Sequence, residues 1–319
     1  MEVEIPDFNK VDEKIQGFME EELKYEDEDI LVAIPIDFKL DENDSFQKGF
    51  LMITQGSHYI FRRAILTGLQ SMRIFNLLEV SSVGYSTAFN EISFIFEQGR
   101  NVYLRTPQRE YLEQIGRATN FVIQTAVYGV SNSIQTFKIV GLDMPTVNFA
   151  KRPTFMLKWR IIFLVHFYGI KSQQMMPIEY FDKWEENSTL SSMMVIGPSL
   201  HPGKFSFAIG HAVAWESELR TVVLQNFAPS KFSDFFDALV SNAVTIKKLA
   251  FTDYQKAEKP ISFSGTPIQS SSIKQFQFVR VVAPVVLSFF ENERKIPQIE
   301  SLILQNITIT SQEFTKLAD

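Results

Sequence analysis

The residues with the strongest claim to chemistry form the run Gly197-Pro-Ser-Leu-His-Pro-Gly203-Lys204, two glycines followed by a lysine. A phosphate-cradling loop needs four residues between its glycines, free backbone N–H groups, and a hydroxyl residue after the lysine to hold magnesium. Here five residues intervene, Pro198 and Pro202 lack an N–H, and Phe205 follows the lysine. Nucleotide chemistry is therefore not expected. The four histidines, His58, His166, His201 and His211, show no metal-ligand spacing, and no glycine-flanked serine elbow is present. His166 falls in an apolar stretch and reads as a satisfied core residue. The acidic clusters Glu20–Glu22 and Glu26–Asp29 supply paired carboxylates, but in a segment so charged that solvent is expected to keep them ordinary. With no cysteine at all, thiolate nucleophiles, zinc-thiolate sites and disulfide frameworks are excluded. The expectation is a non-enzyme with no cofactor and no metal.

If these residues do no chemistry, the elements around them must explain the sequence. Apolar residues make up 45% of the chain and phenylalanine alone contributes 30 positions, so it buries a thick core. The net charge of −6 gives no basic face for nucleic acid. The longest apolar run, Ile161–Val165, is far short of the roughly 20 residues that span a bilayer. The acidic N-terminus lacks the layout of a signal peptide. A reducing, cytoplasmic setting is expected, and the sequons at Asn187 and Asn306 read as chance.

The last third repeats. Leu219-Val222-Leu224, Ile246-Leu249-Phe251, Ile273-Phe276-Phe278 and Ile299-Leu302-Leu304 share one apolar template, with first residues 27, 27 and 26 positions apart. A weaker copy, Leu190-Met193-Val195, lies 29 residues upstream. Alternate strand residues share a face, so the last two apolar positions of each copy point inward. Between the copies, Phe232, Phe235, Phe236 and Leu239 fall at helical spacing, and Ala283–Phe290 predicts another helix with Pro284 in its first turn. A strand and a helix every 20–29 residues is the leucine-rich-repeat signature. The repeat's usual asparagine position holds Pro198, Phe227, Tyr254, Val281 or Ile307, and Pro260 and Pro267 spoil one return helix. The outward strand positions give a nearly uncharged concave face: Met194, Thr221, Val223, Gln225, Lys248, Thr252, Gln275, Gln277, Val279, Ser301, Ile303 and Gln305. Such a face suits a protein partner or a second copy of the chain.

Ahead of the repeats the pattern is β-rich. Ile30–Phe38, Phe50–Thr54, His58–Arg62, two runs within Met72–Tyr85, Ile92–Phe96 and Val102–Leu104 read as strands, with Gly56-Ser57 turning the first hairpin. Thr106-Pro107 predicts a helix start, and Leu112, Ile115, Gly116, Thr119, Val122, Ile123 and Ala126 form its stripe. About seven strands closed by one helix is the layout of a pleckstrin-homology (PH) domain. The chain thus divides into an N-terminal amphipathic helix and acidic segment (1–29), a PH-like domain (30–128), a linker and solenoid cap with a helix at 154–168 (129–189), and leucine-rich repeats (190–319). Around Trp159, Lys151, Arg152, Lys158, Arg160 and Lys171 surround Phe155, Ile162 and Phe163. That helix can cap the first repeat or lie on an anionic membrane, and capping is favoured.

This order of parts resembles the N-terminal half of the CARMIL family, the capping-protein regulators and myosin linkers. The resemblance rests on Ile92–Ala126, the helix end Trp159–Gly169, and the repeats from Leu190 onward. It implies a scaffold of the cortical actin cytoskeleton. The family's capping-protein and myosin segments follow the repeats and are not matched here, and the stop at Asp319, within a repeat, suggests a partial product. The resemblance also implies contact with acidic membrane. The loop Lys39–Lys48, however, sets three carboxylates against two lysines, leaving Arg62, Arg63 and Arg73 as lipid candidates. A peripheral membrane adaptor is the alternative function.

Overall fold

A computed structural model of the chain describes residues 17–18, 20–23, 28–64, 68–130, 138–140, 144–145, 147, 149, 152–153, 155–170, 190–197, 203–227, 229–255, 272–291 and 299–318. It is a mixed α/β structure that divides into two units, Met1–Ser172 and Gln173–Asp319.

In the first unit, seven strands pair antiparallel in the order β4-β3-β2-β1-β7-β6-β5. They are β1 (Ile30–Lys39), β2 (Gln47–Thr54), β3 (His58–Ala64), β4 (Gly68–Phe75), β5 (Val80–Ser86), β6 (Glu91–Phe96) and β7 (Val102–Arg105). A helix, α1 (Arg109–Val127), follows, and a short strand, β8 (Lys138–Val140), joins the β5 edge in parallel. Two antiparallel meanders joined through β1 and β7 and followed by a helix make a PH-like arrangement. The β2–β3 turn closes as the Gly56-Ser57 pair requires, with the Ser57 N–H donating to the Thr54 hydroxyl. The start of α1 differs from expectation. Gln108, not Thr106, is its N-cap residue and makes no side-chain cap bond. Thr106 instead spends its hydroxyl on the Gln108 carbonyl.

The two faces of this sheet bury different residues. Inside, Phe38, Phe75, Phe94, Val102 and Leu104 pack with Leu112, Ile115 and Val122 of α1 as core residues. Outside, Ala33, Met52, Tyr59 and Phe61 form a second cluster, with Phe18 and Leu23 of the N-terminal segment packed on it. The expected stripe of α1 is buried throughout.

A second helix of the first unit, α2 (Met156–Phe167), corrects the amphipathic reading. Arg160 is 1% exposed, with its guanidinium donating to the Ala126 and Tyr128 carbonyls at 2.9 Å each. Trp159 stands edge-on to Phe121 of α1, ring centres 5.2 Å apart. The Asn76 amide donates to the carbonyls of both Phe163 and Gly56. This helix is therefore anchored to α1 and the β2–β3 turn, and its arginine is not held out for phospholipid.

In the second unit five strands run parallel in the order β13-β12-β11-β10-β9. They are β9 (Ser192–Ile196), β10 (Thr221–Gln225), β11 (Lys248–Thr252), β12 (Gln275–Val279) and β13 (Ser301–Gln305). Sequence neighbours are also spatial neighbours, and the apolar template is the register itself. Met193, Val222, Leu249, Phe276 and Leu302 pair strand to strand, as do Val195, Leu224, Phe251, Phe278 and Leu304. The return helices described are α3 (Lys204–Ala214), α4 (Pro229–Asn242) and α5 (Ala283–Glu291), and α6 (Ser311–Ala318) follows β13. Most of the proline-bearing return Gln255–Ser272 lies outside the described residues. Helices α3 and α4 approach backbone to backbone at Gly210, where an added Cβ would sit 2.3 Å from the Phe235 carbonyl oxygen.

Two ladders join the copies. Each described strand from β10 on is followed by a residue with left-handed backbone: Asn226, Asp253, Arg280 and Asn306, at φ of 52°, 61°, 53° and 53°. Three of these donate their N–H to the end of the next strand, Asn226 to Thr252, Asp253 to Val279 and Arg280 to Gln305. The residue after each, where asparagine was sought, is instead an apolar anchor: Phe227, Tyr254 and Val281 are at most 6% exposed. A second ladder is made by hydroxyls. Thr245 donates to the carbonyls of Glu216 and Leu219, and Ser272 to those of Ala243 and Ile246.

Candidate interaction surface

The parallel register sets the outward side chains of the second unit in three rows. The first holds Ser192, Thr221, Lys248, Gln275 and Ser301, and the second Met194, Val223, Ala250, Gln277 and Ile303. The third holds Ile196, Gln225, Thr252, Val279 and Gln305. Every residue proposed from sequence for this face is brought to it. Lys248 is the one ionisable side chain among these positions.

The middle row is the most apolar. Met194 is 48% exposed and Ile303 42%, large side chains that water does not favour. Between them Val223 is half-buried and Ala250 is 4% exposed, so the row is a shallow groove with bulky ends. Polar groups lie along the third row and its rim. Gln225 donates to the Asp253 carboxylate at 3.1 Å, and Arg280 forms an ion pair with the same group. The hydrogen bond from Arg280, with Gln225 assisting, holds the Asp253 carboxyl below its ordinary range. The face is thus an apolar strip edged by the Gln225 amide and the Asp253–Arg280 ion pair.

The lipid candidates are placed differently. Arg62 and Arg63 are consecutive on β3 and so leave opposite faces of the sheet. Arg62 donates to Gln70 at 3.2 Å. Arg73 lies over the Phe96 ring, its guanidinium carbon 4.3 Å from the ring centre, and burial lowers its affinity for a proton despite Glu79 nearby. Arg63 is the exposed member of the three. In the β1–β2 loop, Lys39 donates to the Glu42 carbonyl and sits over Tyr103, whose hydroxyl donates to the Glu42 carboxylate. These cations do not converge on one headgroup site.

The glycine-and-lysine run is divided between roles. Gly197 follows β9 and lies against the Asn226 carbonyl, and Gly203, at φ 93°, precedes the first turn of α3. The residues between them lie outside the described set.

One constellation was not anticipated. Glu28, expected in solvent, is 4% exposed. Its carboxylate accepts hydrogen bonds from the Thr54 and Tyr59 hydroxyls and faces His166 Nε2 at 3.1 Å. His166 Nδ1 in turn lies 2.9 Å from the Ser57 hydroxyl. Burial, the largest influence, pushes the Glu28 carboxyl up, but the hydrogen bond and charge of His166 with the two hydroxyls outweigh it and hold it below its usual value. The result is a buried Ser–His–carboxylate relay that ties α2 to the β2–β3 turn and to the residues just before β1. Gly56 makes room for it, since an added Cβ would lie 2.3 Å from the imidazole ring. No local spacing signals partners this remote in sequence. Among the described residues no group of acidic or histidine side chains could hold a metal ion. No described helix is long and apolar enough to cross a membrane.

No protein-family model matches the sequence, and no curated protein does. Solved structures give partial similarities. A structure of the PH and C1 domains of the Vav1 exchange factor aligns at a TM-score of 0.29 and 15% identity, over 36% of this chain and 33% of that one. Autoinhibited Vav1 aligns at a TM-score of 0.27 and 13% identity, over 37% and 24%. The hSac2 domain of the human phosphoinositide phosphatase Sac2 aligns at a TM-score of 0.28 and 10% identity, over 43% and 92%. The aligned segment thus spans about a third or less of the Vav1 chains.

Proposed function

We propose that this chain is a non-enzymatic protein-interaction scaffold whose working surface is the outward face of the parallel sheet. In this reading the second unit is a leucine-rich-repeat solenoid and the first a PH-like partner domain, together acting at the cell cortex as a CARMIL-type targeting half would. The observation that supports it is the in-register array of β9 to β13. It lines up Met194, Val223 and Ile303 with amides and hydroxyls and admits only Lys248 as a charge. The repeat gives the face its extent, and the near-absence of charge favours a protein over a phosphate or nucleic acid.

The test is an affinity purification that compares three forms of the whole chain: wild type, Val223→Glu with Gln277→Glu, and Arg62→Glu with Arg63→Glu. The scaffold reading expects the face variant alone to lose a stoichiometric protein partner, with actin-cortex components in the wild-type set. Loss in the arginine variant with the face variant unaffected would sink it.

A further inference from the structure

An open pocket of about 400 Å³ lies on the outer side of the first unit, lined by Pro35, Asp37, Lys48, Phe50, Arg63 and Pro107, with Ile36 and Gly49 completing it. The strand register explains its charges. Asp37 pairs directly with Lys48, and Gly49 with Arg62, so one step further along the same ladder Lys48 stands opposite Arg63. On the other side of Asp37 is Arg105, whose guanidinium is taken by Glu91. One row therefore reads Arg105, Asp37, Lys48, Arg63 across four strands. The adjacent row on the same face is apolar: Pro35, Phe50 and Phe61.

Two like charges opposite each other on neighbouring strands destabilise a sheet unless something stands between them. Among the described residues neither the Lys48 nor the Arg63 side chain forms an ion pair or hydrogen bond, and the Asp37 side chain makes none with that of Lys48 despite being its direct partner. The row thus leaves two cations and one carboxylate without a side-chain partner in the lining of a pocket that also presents a phenyl ring and two prolines. Pockets of this size with a few placed polar groups take small molecules. The balance of +1 selects a singly charged anion. A multiply charged phosphate would bring its further charges up against Asp37.

We infer that this pocket binds a monoanionic amphiphile, a carboxylate held between Lys48 and Arg63 with its apolar body on Phe50, Pro35 and Pro107. The inference is independent of the scaffold reading, because it concerns the other unit. Octanoate is the probe, titrated by calorimetry into the whole chain, with octan-1-ol as the uncharged control and phosphatidylserine vesicles as the membrane arm. Octanoate binds once and saturably, octan-1-ol at least 10-fold more weakly. Lys48→Gln with Arg63→Gln weakens octanoate at least 10-fold, and Asp37→Asn strengthens it several-fold. Thermal unfolding of each variant is followed in parallel, and if the double variant does not fold, the Asp37→Asn and octan-1-ol comparisons decide alone. Equal binding of octanoate and octan-1-ol, octanoate binding untouched by the double substitution, or binding to vesicles without binding to octanoate overturns the inference.

Discussion

His58 makes the sharpest stability prediction. It lies inside the first unit with 0% exposure, stacked on Phe75 at 5.1 Å and edge-on to Phe94 at 5.3 Å, and its Nε2 meets the Thr119 hydroxyl at 3.1 Å. Burial without a charged partner drives its pKa down to about 3 from the ordinary 6.5. The folded state therefore binds this proton far less readily than the unfolded chain, so stability rises with pH between those two values and falls on acidification. Going from pH 7.5 to pH 5, an unfolded histidine becomes almost fully protonated while the folded one stays neutral, which costs about 2 kcal/mol. For a unit of this size that corresponds to roughly 4–8 °C in unfolding temperature. The assay is differential scanning calorimetry across pH 5 to 7.5 on wild type and on His58→Leu with Thr119→Val. The double change removes both hydrogen-bonding partners, so no buried polar group is orphaned. The first-unit transition of the variant should lose about 2 kcal/mol less on acidification than wild type. An identical pH dependence in the two proteins would refute the reasoning, because it would mean His58 is protonated in the fold.

Other consequences separate cleanly. Glu28 has a lowered pKa, so its contribution is complete above the ordinary carboxylate range near 4.5 and is lost as pH falls through the folded value. Glu28→Leu should destabilise the first unit by about 3–5 kcal/mol at neutral pH, and the gap from wild type should narrow below pH 4 in urea titrations. In a double-mutant cycle, Glu28→Leu and His166→Leu should be strongly non-additive by the same measurement; simple additivity would dissolve the relay. Gly210→Ala should lower the second transition only, by about 1–3 kcal/mol, since the new methyl meets the Phe235 backbone. Asp253→Asn, by contrast, breaks an exposed ion pair while keeping a side chain that tolerates the left-handed backbone at this position, and should leave that transition almost unmoved in the same scan.

The parts of the molecule readable from sequence are those written in short-range pattern. Ile92, Phe94 and Phe96 alternate, and they form β6; Val222 and Leu224 recur 27 residues later as Leu249 and Phe251, and those pairs are the register of β10 with β11. The outward face followed from the same parity. For helix α2 the sequence favoured packing over a membrane face but left its basic residues in water, whereas Arg160 is buried and satisfied by two carbonyls at the end of α1. Glu28 misled in a similar way. It sits in a run of acids whose composition says solvent, and only the distant His166, Thr54 and Tyr59 make its burial tolerable. The left-handed residues were nearly legible: Asn226 and Asn306 carry a side chain that tolerates that conformation, but Arg280 does not advertise it. The search for asparagine one residue later landed instead on the apolar anchors Phe227, Tyr254 and Val281.

The scaffold account stands or falls on what touches the middle row of the parallel sheet. A photo-crosslinking amino acid placed at Val223, in the otherwise intact chain and irradiated in cells, samples that row directly. The account predicts a discrete protein adduct at Val223 that disappears when Gln277→Glu is added, with no such adduct from a probe at Arg63. Irradiation that yields no protein adduct at Val223, while the probe at Arg63 captures one, would contradict it.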